Sequence, residues 1–181
     1  MSIASDFIET STRRLKYYKE LGEKTFEQLS DADFHFTPNE ESNSIAVIIR
    51  HLHGNMLSRW TNFLEEDGEK EWRRRDEEFA NTRHTREELL AFWEAGWVCF
   101  LNAIIPLTKK ELKGTITVRG ESLTVIDAIN RQLAHYPYHV GQIVFIGKLI
   151  KNTGWKNLSI PRGSSHAYNK GSGLKDPAKT F

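Results

Sequence analysis

The sequence predicts an all-α fold: a bundle of four long helices, with a long loop between the second and third and a small β-hairpin before the fourth. Three observations carry this. Four segments repeat apolar residues at spacings of three and four, strand-like alternation is confined to one short stretch, and 181 residues suit a single domain with a sizeable core.

The first helix is expected from Ser5 to about Leu29, with Phe7, Ile8, Leu15, Tyr18, Leu21, Phe26 and Leu29 on one face and charges on the other. A turn-rich loop containing Pro38 follows, and Ser42 to Ser44 supply candidate caps. The second helix then starts near Ser44 and reaches about Glu65 on a stripe of Ile45, Ile48, Leu52, Met56, Trp60 and Phe63. Residues 66–84 form a charged connection over the surface, with Trp72 and Phe79 as pins, and loops of that length often carry function. Within it, Arg73, Arg74 and Arg75 stand among Glu69, Glu71, Asp76, Glu77 and Glu78, which reads as a solvated or self-paired run.

The third helix opens with Thr85 and Glu88 in capping-box spacing, continues through Leu89, Phe92, Trp93, Trp97, Phe100, Leu101 and Ile104, and ends at Pro106. "KGTITVRGESLTV" alternates around Arg119-Gly120 as a hairpin. The fourth helix runs from about Thr124 to Lys151, with Gly154 as its stop. Beyond it lies a Gly-, Ser- and Lys-rich tail, expected to be loose from about residue 170.

A net charge of +1 favours neither nucleic acid nor an anionic membrane as partner, and no apolar stretch approaches the ~18 to 20 residues of a membrane span. A lone cysteine, Cys99, makes no internal disulfide, and with no signal-peptide pattern at the N-terminus the expected location is cytoplasmic. Trp72, Trp93 and Trp97 could serve a dimer face but read as core filling, since aromatic residues at helical spacing usually bury their area, and Cys99 likewise reads as a buried filler.

Chemistry enters with "HYPYHVGQI". His135 and His139 stand four apart on a helix that is apolar nearly all round, close enough to share a metal ion. Buried imidazoles need a hydrogen-bond partner or a metal, because an unsatisfied buried polar group costs about 1–3 kcal/mol. A metal also needs a third ligand from another element. Periodicity slightly prefers His53 of "RHLHGN", whereas His51 lies on a line of small or uncharged residues, Ser44, Val47, Asn55, Ser58 and Asn62, suited to a polar cavity wall. His35, His84 and His166 fall in loops or caps. The glutamate of H-E-x-x-H is missing, which removes the general base of a metalloprotease. Pro137, between the two histidines, is expected to kink the helix. Glu121, Asp127, Asn55 and Gln142 are the candidates for orienting the ligands.

These residues resemble the DinB-like and YfiT-like bacterial four-helix bundles: a helix-two histidine, here in "IAVIIRHLHGNM", joined by H-x-x-x-H and G-Q-I, here "HYPYHVGQI". The likeness extends to an uncharacterised branch sharing "SRWTNFL", "DGEKEWRRRDEEF" and "LSIPRGSSHAYN". The resemblance implies a metal triad of His51, His135 and His139, a divalent ion such as nickel or zinc, and a homodimer. By analogy with the wider superfamily it also implies a small-molecule substrate and a low-molecular-weight thiol, with S-transfer or hydrolysis as the reaction. The alternative is a non-catalytic, metal-stabilised stress-response or binding bundle.

Overall fold

The computed structural model describes residues 2–80, 82–173 and 175–181. It is mostly helical with one small sheet. Four long helices supply the core: α1 (Ile3–Phe26), α2 (Ile45–Trp60), α4 (Arg86–Ile104) and α6 (Val125–Lys151). Among the described residues, three short α-helices accompany them: α3 (Arg75–Glu78), α5 (Lys109–Leu112) and α7 (Ser165–Lys170). No described helix is long and apolar enough to cross a membrane.

Caps fix the starts of the long helices. Ser2, Ser44, Thr85 and Thr124 each accept a backbone N–H from the first turn, and Thr85 with Glu88 completes the expected capping box. α2 packs on α4 and α6, and α1 on α6 and α4. Leu15, Phe26, Ile49, Leu52, Leu89, Trp97, Phe100, Tyr136 and Val140 are essentially sealed between them. Trp93 is buried as well, in edge contact with Phe26, while Trp72 is exposed.

Two details of the helix ends differ from the sequence expectation. α2 stops at Trp60 instead of about Glu65, because Asn62 takes a positive φ of 48° and turns the chain out of the helix. α6 ends at Lys151 as expected, but the residue that stops it is Asn152, with a φ of 46°, and Gly154 falls in the 3-10 turn beyond it. α6 itself continues through Pro137.

The hairpin pairs β1 (Thr115–Val118) with β2 (Glu121–Thr124), and Arg119 and Gly120 both have positive φ, as a tight two-residue hairpin turn requires. It anchors the start of the long connection. The Asp67 carboxylate accepts both turn N–H groups at 2.8 Å, and Gly68 N–H donates to the Thr117 carbonyl at 2.8 Å. Ser58 and Arg59 of α2 donate to the Gly68 carbonyl, and Arg59 also pairs with Glu69. At the far end of the connection, Arg50 of α2 donates to the carbonyls of Glu77 and Ala80. Near the C-terminus, Arg14 pairs with Asp176 at 2.6 Å and Ala178 is buried against α1.

Candidate metal centre

α2 and α6 bring three imidazoles together. His51, His135 and His139 each offer a ring nitrogen, and these atoms lie within 4.8 Å of one another. The His135 Nε2 stands 3.5 Å from that of His51 and 3.1 Å from that of His139. Ligands at about 2.0–2.1 Å in a tetrahedral field lie about 3.4 Å apart, so both separations suit one small divalent ion. His51 is buried and the other two are half-buried.

Each ring turns its other nitrogen to an oxygen. His51 Nδ1 donates to Glu78 Oε2 at 3.0 Å, His139 Nδ1 to Gln142 Oε1 at 3.0 Å, and His135 Nδ1 to Gln132 Oε1 at 3.4 Å. A proton held on Nδ1 leaves a lone pair on Nε2, so three donor lone pairs converge. Burial favours the unprotonated form of the two α6 rings. It pushes His135 down to about 3, aided by the repulsion that a proton there would meet from any proton on the neighbouring imidazoles of His139 and His51 and from the Arg131 and Arg73 charges. His139 is also lowered, chiefly by burial, against the opposing effect of its bond to Gln142. Neutral imidazole is the form that binds a metal.

Glu78 comes from α3, inside the charged connection. Burial alone would raise its carboxyl, but bonds from His51 and Arg73 and the Arg73 charge bring it below the usual range. Arg73 holds it with two bonds, Nε to Oε1 at 2.7 Å and Nη2 to Oε2 at 3.0 Å, and their side chains are 2% and 9% exposed. Of the run expected to be solvated or self-paired, Arg73 and Glu78 pair and are buried beside His51, while Arg74, Arg75, Asp76 and Glu77 stay exposed.

The structure corrects the periodicity argument for His53. That ring points away from the triad, stacks on Phe92 at 4.9 Å and lines a separate surface pocket with Trp72 and His84. Of the four suggested orienting residues, only Gln142 touches a ligand. Asn55 instead accepts from the Tyr136 hydroxyl, and Glu121 and Asp127 are exposed at the hairpin and the start of α6. Gln132 was missed, although its place one turn before His135 was a usable signal; Glu78 had no periodic signal, because its reach depends on the path of the loop. Among the other histidines, His35 bonds the His84 carbonyl and His166 is exposed.

Pairing of a helix-two histidine with H-x-x-x-H on a long later helix can be set beside known proteins. A family profile described as "Protein of unknown function (DUF1572)" matches residues 2–164. The chain belongs to the DUF1572 family. All three histidines, and Glu78, Gln132 and Gln142 around them, fall inside the matched part of this DUF1572 chain. Comparison with curated proteins and with solved structures finds no match.

Proposed function

We propose that this protein is a divalent-metal-dependent enzyme of DinB-like or YfiT-like type, using His51, His135 and His139 as ligands and leaving coordination positions open for a thiol or a water. The observation that carries the reading is the convergence of three Nε2 atoms whose Nδ1 partners are all oxygens. Among the described residues, no cysteine or carboxylate joins the three as a fourth ligand. Three protein ligands with an open position are the usual arrangement of catalytic sites, whereas structural zinc sites close with four.

The ion would supply Lewis acidity, drawing the proton from a coordinated thiol or water at neutral pH. The chain's own residues do the remainder. Gln132 and Gln142, each three residues from its histidine on α6, fix the two rings on that helix, and Glu78 fixes the third from outside the bundle. Phe79, with its ring 5.2 Å from that of His51, shields one flank from water. Cys99 is remote from this chemistry: its thiol lies near Thr61 and the Met56 carbonyl, so a thiol nucleophile would come from a small molecule. The sequence resemblance supports a low-molecular-weight thiol, nickel or zinc as the ion, and a homodimeric state.

The second reading, a non-catalytic bundle in which the ion staples helices, is favoured by the origin of the ligands on two different long helices, α2 and α6. Elemental analysis followed by X-ray absorption spectroscopy separates the two. One ion bound by three nitrogens and an exchangeable oxygen or added thiol sulfur supports the enzyme; a closed shell of protein ligands supports the staple. Absence of bound divalent metal after loading overturns both.

A further inference from the structure

We infer that Glu78 is a positioning residue for the metal ligand His51, delivered from the long connection and oriented by Arg73. This rests on the metal-site reading and adds to it a control point outside the four-helix core.

Three observations point the same way. The first is an asymmetry of support. His135 and His139 take their anchors from their own helix, so α6 alone preassembles two ligands with neutral amides, whereas His51 takes a carboxylate from α3. A carboxylate on the far nitrogen fixes the ring's tautomer and makes it a stronger donor than an amide does. His51 is therefore distinguished from the other two in both orientation and basicity.

The second observation concerns the loop's attachment. The connection is already held at its start by Asp67, Gly68 and Glu69, and at its end by Arg50. None of these ties involves Glu78. A buried carboxylate and guanidinium are an expensive way to fasten a loop, because both ions lose their hydration. Directing both carboxylate oxygens toward Arg73 while one also receives His51 accounts for their burial.

The third is Gly54 on α2. A Cβ there would fall on the Glu78 carboxylate, at 2.9 Å from Cδ and closer still to Oε1. A helix-interior glycine is unfavourable by about 1 kcal/mol relative to alanine, and here it provides the space through which Glu78 reaches His51.

The test uses full-length protein loaded with Co²⁺, whose visible spectrum reports ligand geometry. E78A is expected to bind Co²⁺ about 10- to 100-fold more weakly than wild type, with a shifted absorption band. E78Q, which keeps an oxygen for the His51 N–H, should recover part of the affinity. G54A, which keeps the carboxylate in the sequence but displaces it, should resemble E78A. Thermal melts of each metal-free variant confirm folding before loading. If E78A is unfolded, the R73Q/E78Q double variant, which removes both buried charges together, carries the same comparison. Wild-type affinity and an unchanged spectrum in the folded variants overturn the positioning role while leaving the metal site standing. A wild-type protein that takes up no Co²⁺ overturns the metal reading, and this inference with it.

Discussion

His139 Nε2 lies 3.1 Å from His135 Nε2, one helical turn away, although Pro137 stands between them. The proline lacks the N–H that would pair with the Leu133 carbonyl, yet α6 runs unbroken through it and the two Nε2 atoms still converge. Interior proline is about 3 kcal/mol less favourable than alanine in a helix. P137A is therefore expected to raise the stability of the metal-free protein, by up to about that amount, and to leave one metal per chain. Chemical denaturation and metal titration check this. A less stable P137A would show that proline directs the path of α6.

The two neighbouring histidines of α2 make a direct comparison. H51A removes a converging nitrogen, and H135A and H139A do the same from α6, so each should abolish tight divalent-metal uptake. H53A removes a ring stacked on Phe92 outside the triad and should leave uptake unchanged. Isothermal titration with Zn²⁺ reads both effects. Loss of binding in H53A with retention in H51A would reassign the site.

Different physical causes separate what the sequence showed from what it did not. Helix starts were legible because Ser44, Thr85 and Thr124 cap through local hydrogen bonds, and the hairpin because Arg119-Gly120 meets a local turn requirement. His135 and His139 were legible through helical spacing. His51 was not separable from His53 by periodicity: α2 packs against both α4 and α6, so its inward arc is broad and the hydrophobic stripe does not mark which edge faces α6. Glu78 was hidden for another reason. Its contact with His51 spans 27 residues and depends on two ends of a loop being tied to α2 and the hairpin, which no local pattern encodes.

The pH response of the metal-free protein follows from the same burial. His135 is held neutral with its pKa near 3, against an ordinary value of 6.5. Below pH 6.5 the unfolded chain takes up a proton that the native site resists, so the contribution present above pH 6.5 is lost progressively as pH falls toward about 3. Glu78, whose carboxyl is lowered from 4.5, adds a loss in the same direction at the acidic end. Urea midpoints at pH 7.5, 6 and 5 should fall in that order, and H135Q should flatten the upper part of the slope. An equal slope in H135Q would show that the histidine does not set it.

Tyr136 separates the core from the site. It is wholly buried, accepts from Trp60 Nε1 at 3.0 Å and donates to Asn55 Oδ1 at 3.2 Å. Y136F leaves two buried polar atoms without this partner and is expected to cost about 1–3 kcal/mol of stability. None of these atoms bonds a metal-ligating ring, so metal affinity should stay within about twofold of wild type, a difference of roughly 0.4 kcal/mol. Denaturation and metal titration on the same variant distinguish the two effects. A large loss of affinity would place the Tyr136 chain inside the metal site's support.

Close approach of α1 and α4 depends on Gly22. A Cβ there would stand 2.6 and 2.7 Å from the ring carbons of Trp93, a side chain that is itself packed edge-on against Phe26 and Trp97. Alanine improves helix propensity by about 1 kcal/mol, but the indole has no free space to yield into, and overpacking of this kind costs about 1–3 kcal/mol. G22A should therefore be at best neutral and more commonly destabilising, with a red shift of tryptophan emission if Trp93 is forced toward water. A clear rise in melting temperature with unchanged fluorescence would mean that α1 and α4 separate without penalty.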